Sequence, residues 1–218
     1  MKLERIEVPF GAQKLIIETG KLAKQANGSV TVTVGETIIL VTACMSNKVR
    51  EDIDFFPLMV EYQEKTYAAG KIPGGFFKRE GKSTESEVLN SRVIDRSIRP
   101  LFPEGFYNDV QVVVTVLSHD ADNDPDVPAL IGASAALLIS GIPFNGPLGA
   151  VRVGLVDGQL VANPSFKERQ ASSMDLVVAG NQDGIIMIEG EAAEVPEAKI
   201  KEALKFALFE RMYFAISL

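Results

Sequence analysis

Ser29-Val30-Thr31-Val32-Thr33-Val34-Gly35-Glu36-Thr37-Ile38-Ile39-Leu40-Val41-Thr42-Ala43 is the stretch that decides the fold class. Val, Ile and Thr fill both halves, because branched side chains suit a pleated, half-buried surface, and Gly35-Glu36 breaks them as a turn. The reading is a β-hairpin. Working outward, further strands are expected over Phe56–Tyr62 and Val110–Leu117. Ala150–Val156 and Gln159–Ala162 flank Asp157-Gly158, a strong hairpin signal, since such turns need positive φ. Leu176–Ala179 and Ile185–Glu189 flank Asn181–Gly184 in the same way. Between these groups a continuous apolar run predicts a buried helix over Val127–Ser140, with Asp126 as its N-cap. A turn marked by Gly141, Pro143, Gly146 and Pro147 follows, and an amphipathic helix is expected from about Pro196. Strands arrive in runs rather than alternating with helices, which predicts an α+β fold over a doubly wound sheet.

The 218 residues, 46% of them hydrophobic, suffice for one large or two modest cores. No apolar run approaches the roughly 18 residues of a membrane span. No apolar stretch follows the charged N-terminus at signal-peptide position, and the single Cys44 excludes an intrachain disulfide. A cytoplasmic protein without a membrane partner is therefore expected. The net charge of −7 argues at first against a polyanionic partner. Its distribution argues the opposite. Residues 65–99 carry eight basic side chains against four acidic ones, while the rest carries 14 basic and 25 acidic. A basic segment on an acidic body can hold a polyanion in one place and repel it elsewhere.

That segment differs from its surroundings. Gly70–Lys82 is rich in glycine and cations and holds the adjacent pair Phe76-Phe77, flanked by Lys78 and Arg79. Exposed rings stack on unpaired bases while neighbouring cations hold phosphates, without demanding a base sequence. The competing reading makes the rings core anchors that tie the loop down. Thr84 with Glu87 three positions on spells a capping box. Arg92, Arg96 and Arg99 then recur at i, i+4 and i+7 on one helix face, opposite Ile94, Ile98 and Leu101.

Other constellations fail on spacing. Gly81-Lys82-Ser83 ends a Walker A pattern, but Phe76 stands where its first glycine belongs. Asp120, Asp122 and Asp124 imitate a calcium loop, yet Pro125 and Ile131 occupy the places of its glycine and final glutamate. His119 is the only histidine, and no Gly-x-Ser-x-Gly elbow accompanies it.

Long strings carry a resemblance. They are Tyr67-Ala68-Ala69-Gly70-Lys71-Ile72-Pro73-Gly74-Gly75-Phe76-Phe77-Lys78-Arg79-Glu80-Gly81 and Arg92-Val93-Ile94-Asp95-Arg96-Ser97-Ile98-Arg99-Pro100-Leu101-Phe102-Pro103. Ile131–Leu137 and Ser140–Pro147 add to them. Through these the sequence resembles the bacterial polynucleotide phosphorylase family, to about residue 205, in its first RNase-PH-like copy. The resemblance implies a single RNase-PH-like (ribosomal protein S5 domain 2-like) β-α-β domain over 1–205. It makes 206–218 a C-terminal helix, the truncated or divergent start of a helical linker. It implies a phosphorolytic 3′-to-5′ exoribonuclease, a polyribonucleotide nucleotidyltransferase that degrades single-stranded mRNA to nucleoside diphosphates as a homotrimeric ring. Inorganic phosphate and Mg2+ serve the full-length enzyme, and no DNA partner is expected. Phe76, Phe77, Lys78 and Arg79 are implied to grip single-stranded RNA in the ring channel, with Arg92, Arg96 and Arg99 towards the RNA path.

The family's chemistry belongs to the second copy, which supplies a serine-rich phosphate loop and an Asp, five residues, Asp, one residue, Lys set. Here Arg169, Asp175 and Val177 stand at the matching places. No catalytic residue and no metal is therefore expected in this chain, and Asp175 is expected to be structural. A trimmer of the RNase PH type fits less well, because the loop and helix match the longer enzyme. The alternative is a catalytically inert RNA-binding scaffold subunit of an exosome-type ring.

Overall fold

The structure, a computed structural model, describes residues 2–49, 53–74, 80–120 and 122–217, without the side chains of 209 and 211–217. In chain order come β1 Glu4–Phe10, β2 Gln13–Thr19, β3 Gly28–Val34, β4 Thr37–Val49, β5 Leu58–Glu64, α1 Glu85–Ile98 and β6 Asn108–Ser118. Then follow α2 Asp126–Ser140, β7 Gly149–Val156, β8 Gln159–Ala162, α3 Phe166–Ala171, β9 Met174–Gly180, β10 Ile185–Ala192 and α4 Glu197–Ser217. Two sheets result, ordered β1-β2-β3-β4-β6-β5 and β10-β9-β7-β8. The first is antiparallel except for β5 and β6, which run parallel with α1 as their crossover.

The Ser29–Ala43 hairpin forms as read, with Val32 opposite Ile39 and Val34 opposite Thr37. The second sheet has its Asp157-Gly158 hairpin, and both residues take the positive φ that the turn requires. β1 and β2 were not foreseen, because their charged, exposed positions leave only a weak alternation around Val8, Phe10, Leu15 and Ile17. The expected strand Phe56–Tyr62 begins at Leu58, since Phe56 turns into a cluster with Phe102 at 4.6 Å and Phe106 at 5.6 Å between ring centres.

The buried helix α2 is the keystone. Its residues from Val127 to Leu137 are all buried, packed on β3 and β4 on one side and β7 on the other. A Cβ on Gly132 would meet the Cγ2 atoms of Val32 and Val41 at 2.8 Å, so a glycine is what lets helix and sheet approach this closely. Ser134 is satisfied inside the core by the Leu148 N–H at 2.8 Å. α4 covers the far face of the second sheet, setting Ala203 and Ala207 on Val151, Val153, Leu155, Leu176 and Val178.

The cap and the buried side of α1 are as read. Glu87 N donates to Thr84 Oγ1 at 3.2 Å and Thr84 N to Glu87 Oε2 at 2.6 Å, the reciprocal bonds of a capping box. Ile94, Ile98 and Leu101 are buried on one side. Full burial of each such side chain contributes about 1.5–3 kcal/mol. The N-cap expectation for α2 is corrected: Pro125 is the cap and Asp126 the first helical residue. Its carboxylate accepts from Val127 N and from a buried arginine, a stronger partner than a helix end alone.

Candidate nucleic-acid interface and the filled cleft

Phe76, Phe77, Lys78 and Arg79 lie outside the described residues. What surrounds them is the basic segment, in which Lys71, Lys82, Arg92 and Arg96 are exposed. The three arginines of the helix face have different surroundings. Arg92 makes no hydrogen bond or ion pair with a described residue. Arg96 reaches Glu189 of β10 at 2.6 Å with half its side chain in solvent. Such a surface pair contributes only about 0.2–1 kcal/mol, so a phosphate can replace the glutamate at little cost. Arg99 is committed to the fold. Its guanidinium grips Asp95 at 2.9 and 2.6 Å and donates to the carbonyls of Phe56 and Leu58 at 3.0 and 3.1 Å.

Beneath α1, the inner face of the second sheet carries Arg152, Asp175, Val177, Glu189 and Glu191. Register explains their meeting: Arg152 pairs across from Val177, Gly154 from Asp175, and Glu189 and Glu191 from Val177 and Asp175. With Leu89, Asn90 and Val93 of α1 they line a cleft of about 330 Å³. Arg152, nine-tenths buried, spans it: Nη1 donates to Asp175 Oδ2 at 2.9 Å and Nη2 donates to Asp126. Arg169, from α3, approaches the same Asp175 oxygen at 3.3 Å and also pairs with Asp124.

The electrostatics follow from burial. Burial pushes the Asp126 carboxyl above the usual carboxylate range, while Arg152 and Arg169 pull the other way. Burial also works against the Arg152 charge, but Asp126, Asp175 and Asp124 outweigh it and hold the guanidinium more firmly protonated. One arginine cation therefore sits between the two carboxylates. Arg152 takes up one oxygen each of Asp126 and Asp175, Asp175 Oδ1 is buried without a hydrogen-bond partner among the described residues, and Arg169 and Val177 bring no carboxylate and no lysine charge. Glu189 and Glu191 give the cleft an acidic rim.

The acidic run before α2 is likewise engaged. Asp120 accepts from Glu36 N at 2.7 Å and from Asp122 N and Asn123 N at 3.0 and 2.7 Å, which locks the loop onto the β3–β4 turn. No helix of the described residues is long and apolar enough to cross a membrane.

Two sheets enclose a buried helix, with a cationic helix face above a charge-filled cleft. The profile of the 3′ exoribonuclease family, domain 1, matches residues 11–143, and domain 2 of that family matches 146–209. The chain belongs to this family. Over 205 residues it is 57% identical to the polyribonucleotide nucleotidyltransferase of Rhodospirillum centenum, and over 202 residues 58% identical to that of Granulibacter bethesdensis. These alignments cover 94% and 93% of the chain but only 29% and 28% of those curated relatives, so it corresponds to an N-terminal RNase-PH-like portion of them. The crystal structure of rice (Oryza sativa) Rrp46 shares the fold, with a TM-score of 0.71 at 15% identity, over 98% of this chain and 90% of that one.

Sequence reasoning missed Arg152 and its pairing with Asp126, Asp124 and Asp175, acids that it had singled out for other reasons. A signal existed: Arg152 is the one charged residue in the strand Gly-Ala-Val-Arg-Val-Gly-Leu-Val, and a lone cation inside a buried strand requires buried acids.

Proposed function

We propose that this chain is the RNA-guiding, ring-forming half of a phosphorolytic 3′-to-5′ exoribonuclease that works in the cytoplasm as a homotrimer. The complete enzyme degrades single-stranded mRNA to nucleoside diphosphates with phosphate and magnesium, and this copy, over residues 1–205, contributes the path rather than the chemistry. The observation that carries the reading is the contrast between two neighbouring charge sets. The α1 face offers Arg92 and Arg96 to solvent, while the carboxylates below are bridged by Arg152. Cations open to solvent hold a polyanion. Carboxylates paired with an arginine have much of their charge neutralised, which weakens their pull on a metal ion.

The test is binding of fluorescent single-stranded RNA to the chain by anisotropy, from low to moderate salt. Affinity that falls steeply with salt and barely changes between base sequences supports the reading. Salt-independent binding, or none at low salt, refutes it.

A further inference from the structure

We infer that Tyr67 is a stacking platform for an unpaired base of single-stranded RNA, with Lys71 holding the adjoining phosphate; this rests on the RNA-guiding reading above. Tyr67 lies in the 3-10 turn Thr66–Ala69, just after β5, and 57% of it is exposed. Among the described residues its side chain has no ring contact, hydrogen bond or ion pair. Lys71 is exposed as well and forms no ion pair with a described residue. Both belong to the segment 65–99, where the chain gathers eight basic side chains against four acidic ones.

A single exposed ring signifies nothing by itself. Tyr67 differs in how firmly its backbone is held. Before it, Thr66 N donates to Glu80 Oε1 at 2.9 Å. After it, His119 N donates to Ala68 O at 3.1 Å, and Ala68 packs against the main core. Gly70 N donates to Tyr67 O at 2.9 Å and Lys71 N to Thr66 O at 3.1 Å, which closes the turn and brings the Lys71 backbone back beside Tyr67. Gly70 takes the positive φ of 67° that this closure needs, and a Cβ there would meet no described atom within 4 Å. The turn is thus anchored from below while the ring and the ammonium stand in solvent. A platform ordered before its ligand arrives lowers the ordering cost of binding.

A tyrosine offers a flat apolar face with only two torsions to fix, so it covers a base at small entropic cost. A protein partner could use the same face, but the charge favours a polyanion: outside this segment the chain carries 14 basic and 25 acidic residues, which repel RNA everywhere else. The two contacts are separable. Stacking requires a base and is indifferent to salt, whereas a phosphate contact requires charge and is indifferent to the base.

Full chains of wild type, Tyr67→Ala, Tyr67→Leu, Tyr67→Phe and Lys71→Ala are titrated over a salt series with fluorescent oligoadenylate and with an abasic oligomer of the same length, and their melting temperatures are compared. Tyr67→Ala is expected to bind oligoadenylate about five- to thirtyfold more weakly, with its abasic affinity, salt slope and melting temperature unchanged. Tyr67→Leu keeps apolar bulk without a flat ring; it is expected to lose oligoadenylate affinity in the same direction and guards against a misfolded Ala variant. Tyr67→Phe keeps the ring and is expected to bind both oligomers as wild type does. Lys71→Ala is expected to weaken both and to flatten the salt slope by roughly 0.7. A wild-type chain that fails to bind oligoadenylate overturns the RNA-guiding reading and this inference with it. A wild-type chain that binds, with Tyr67→Ala and Tyr67→Leu binding oligoadenylate as tightly or weakened equally on the abasic oligomer, overturns the stacking role alone and leaves the ring to a protein partner or to the fold.

Discussion

Replacing Arg152 by Met keeps the length of the side chain and removes the cation that joins Asp126 to Asp175. Removing one partner of a buried pair costs about 3–5 kcal/mol, because the other charge stays buried without compensation. Here Asp126 is 16% exposed and Asp175 25%, so water relieves part of the penalty and the lower end, about 3 kcal/mol, applies. For a chain of this size that corresponds to a loss of roughly 6–12 °C in Tm. The sign of the pH dependence follows from Asp126. Its folded pKa is already raised by burial, and without Arg152 it rises further. A carboxyl whose folded pKa exceeds its unfolded value stabilises most below the unfolded pKa and loses that contribution as pH rises through the folded one. The deficit of Arg152→Met is therefore smaller in mild acid than at neutral pH. Adding Asp126→Asn and Asp175→Asn to the variant should restore most of the stability, since no buried charge then lacks a partner. Melting curves across pH by circular dichroism read all three effects. An Arg152→Met chain that melts within about 2 °C of wild type at neutral pH, or a deficit that grows in acid, refutes the reasoning.

Arg92→Ala and Arg96→Ala should each flatten the logarithmic salt dependence of RNA binding by roughly 0.7 per lost phosphate contact, read from anisotropy titrations. Arg99→Ala should leave that slope unchanged and instead lower stability by about 1–3 kcal/mol in chemical denaturation, having lost its bonds to Asp95, Phe56 and Leu58. The double change Phe76→Ala with Phe77→Ala should weaken single-stranded RNA binding by about 1–3 kcal/mol per stacked base; a lower melting point with intact affinity would make the rings core anchors instead. Gly132→Ala forces a methyl against Val32 and Val41 and should cost about 1–3 kcal/mol, measurable as a lower Tm with RNA binding retained.

What the sequence disclosed was local. The Ser29–Ala43 hairpin, the Asp157-Gly158 turn and the Thr84/Glu87 capping box depend on residues within a few positions of one another, and each stands where it was read. The spacing of Ile94, Ile98 and Leu101 likewise identified the buried side of α1, because helical period alone fixes it. The same period put Arg99 with Arg92 and Arg96, yet Asp95 four residues earlier and the carbonyls of Phe56 and Leu58 take up its donors. Helix period gives direction, not partner. The cleft was least legible, since Arg152 joins residues 26 positions before it and 23 after it, on different elements. No window of sequence contains that contact; only the register of β7 against β9 and the approach of α2 create it. β1 escaped notice because an exposed strand rich in charge has too few buried positions to show its period.

The central claim is that this chain guides RNA without cutting it, and phosphorolysis by the purified chain tests it most directly. The chain is incubated with single-stranded RNA bearing a 3′-hydroxyl, inorganic phosphate and Mg2+, and released nucleoside diphosphates are measured beside RNA binding. Because Arg152 bridges Asp126 and Asp175 and no lysine stands at Val177, the account predicts RNA bound and no diphosphate released. Phosphate-dependent release of diphosphates that disappears in Asp175→Ala would contradict it, and would place a working centre in the cleft.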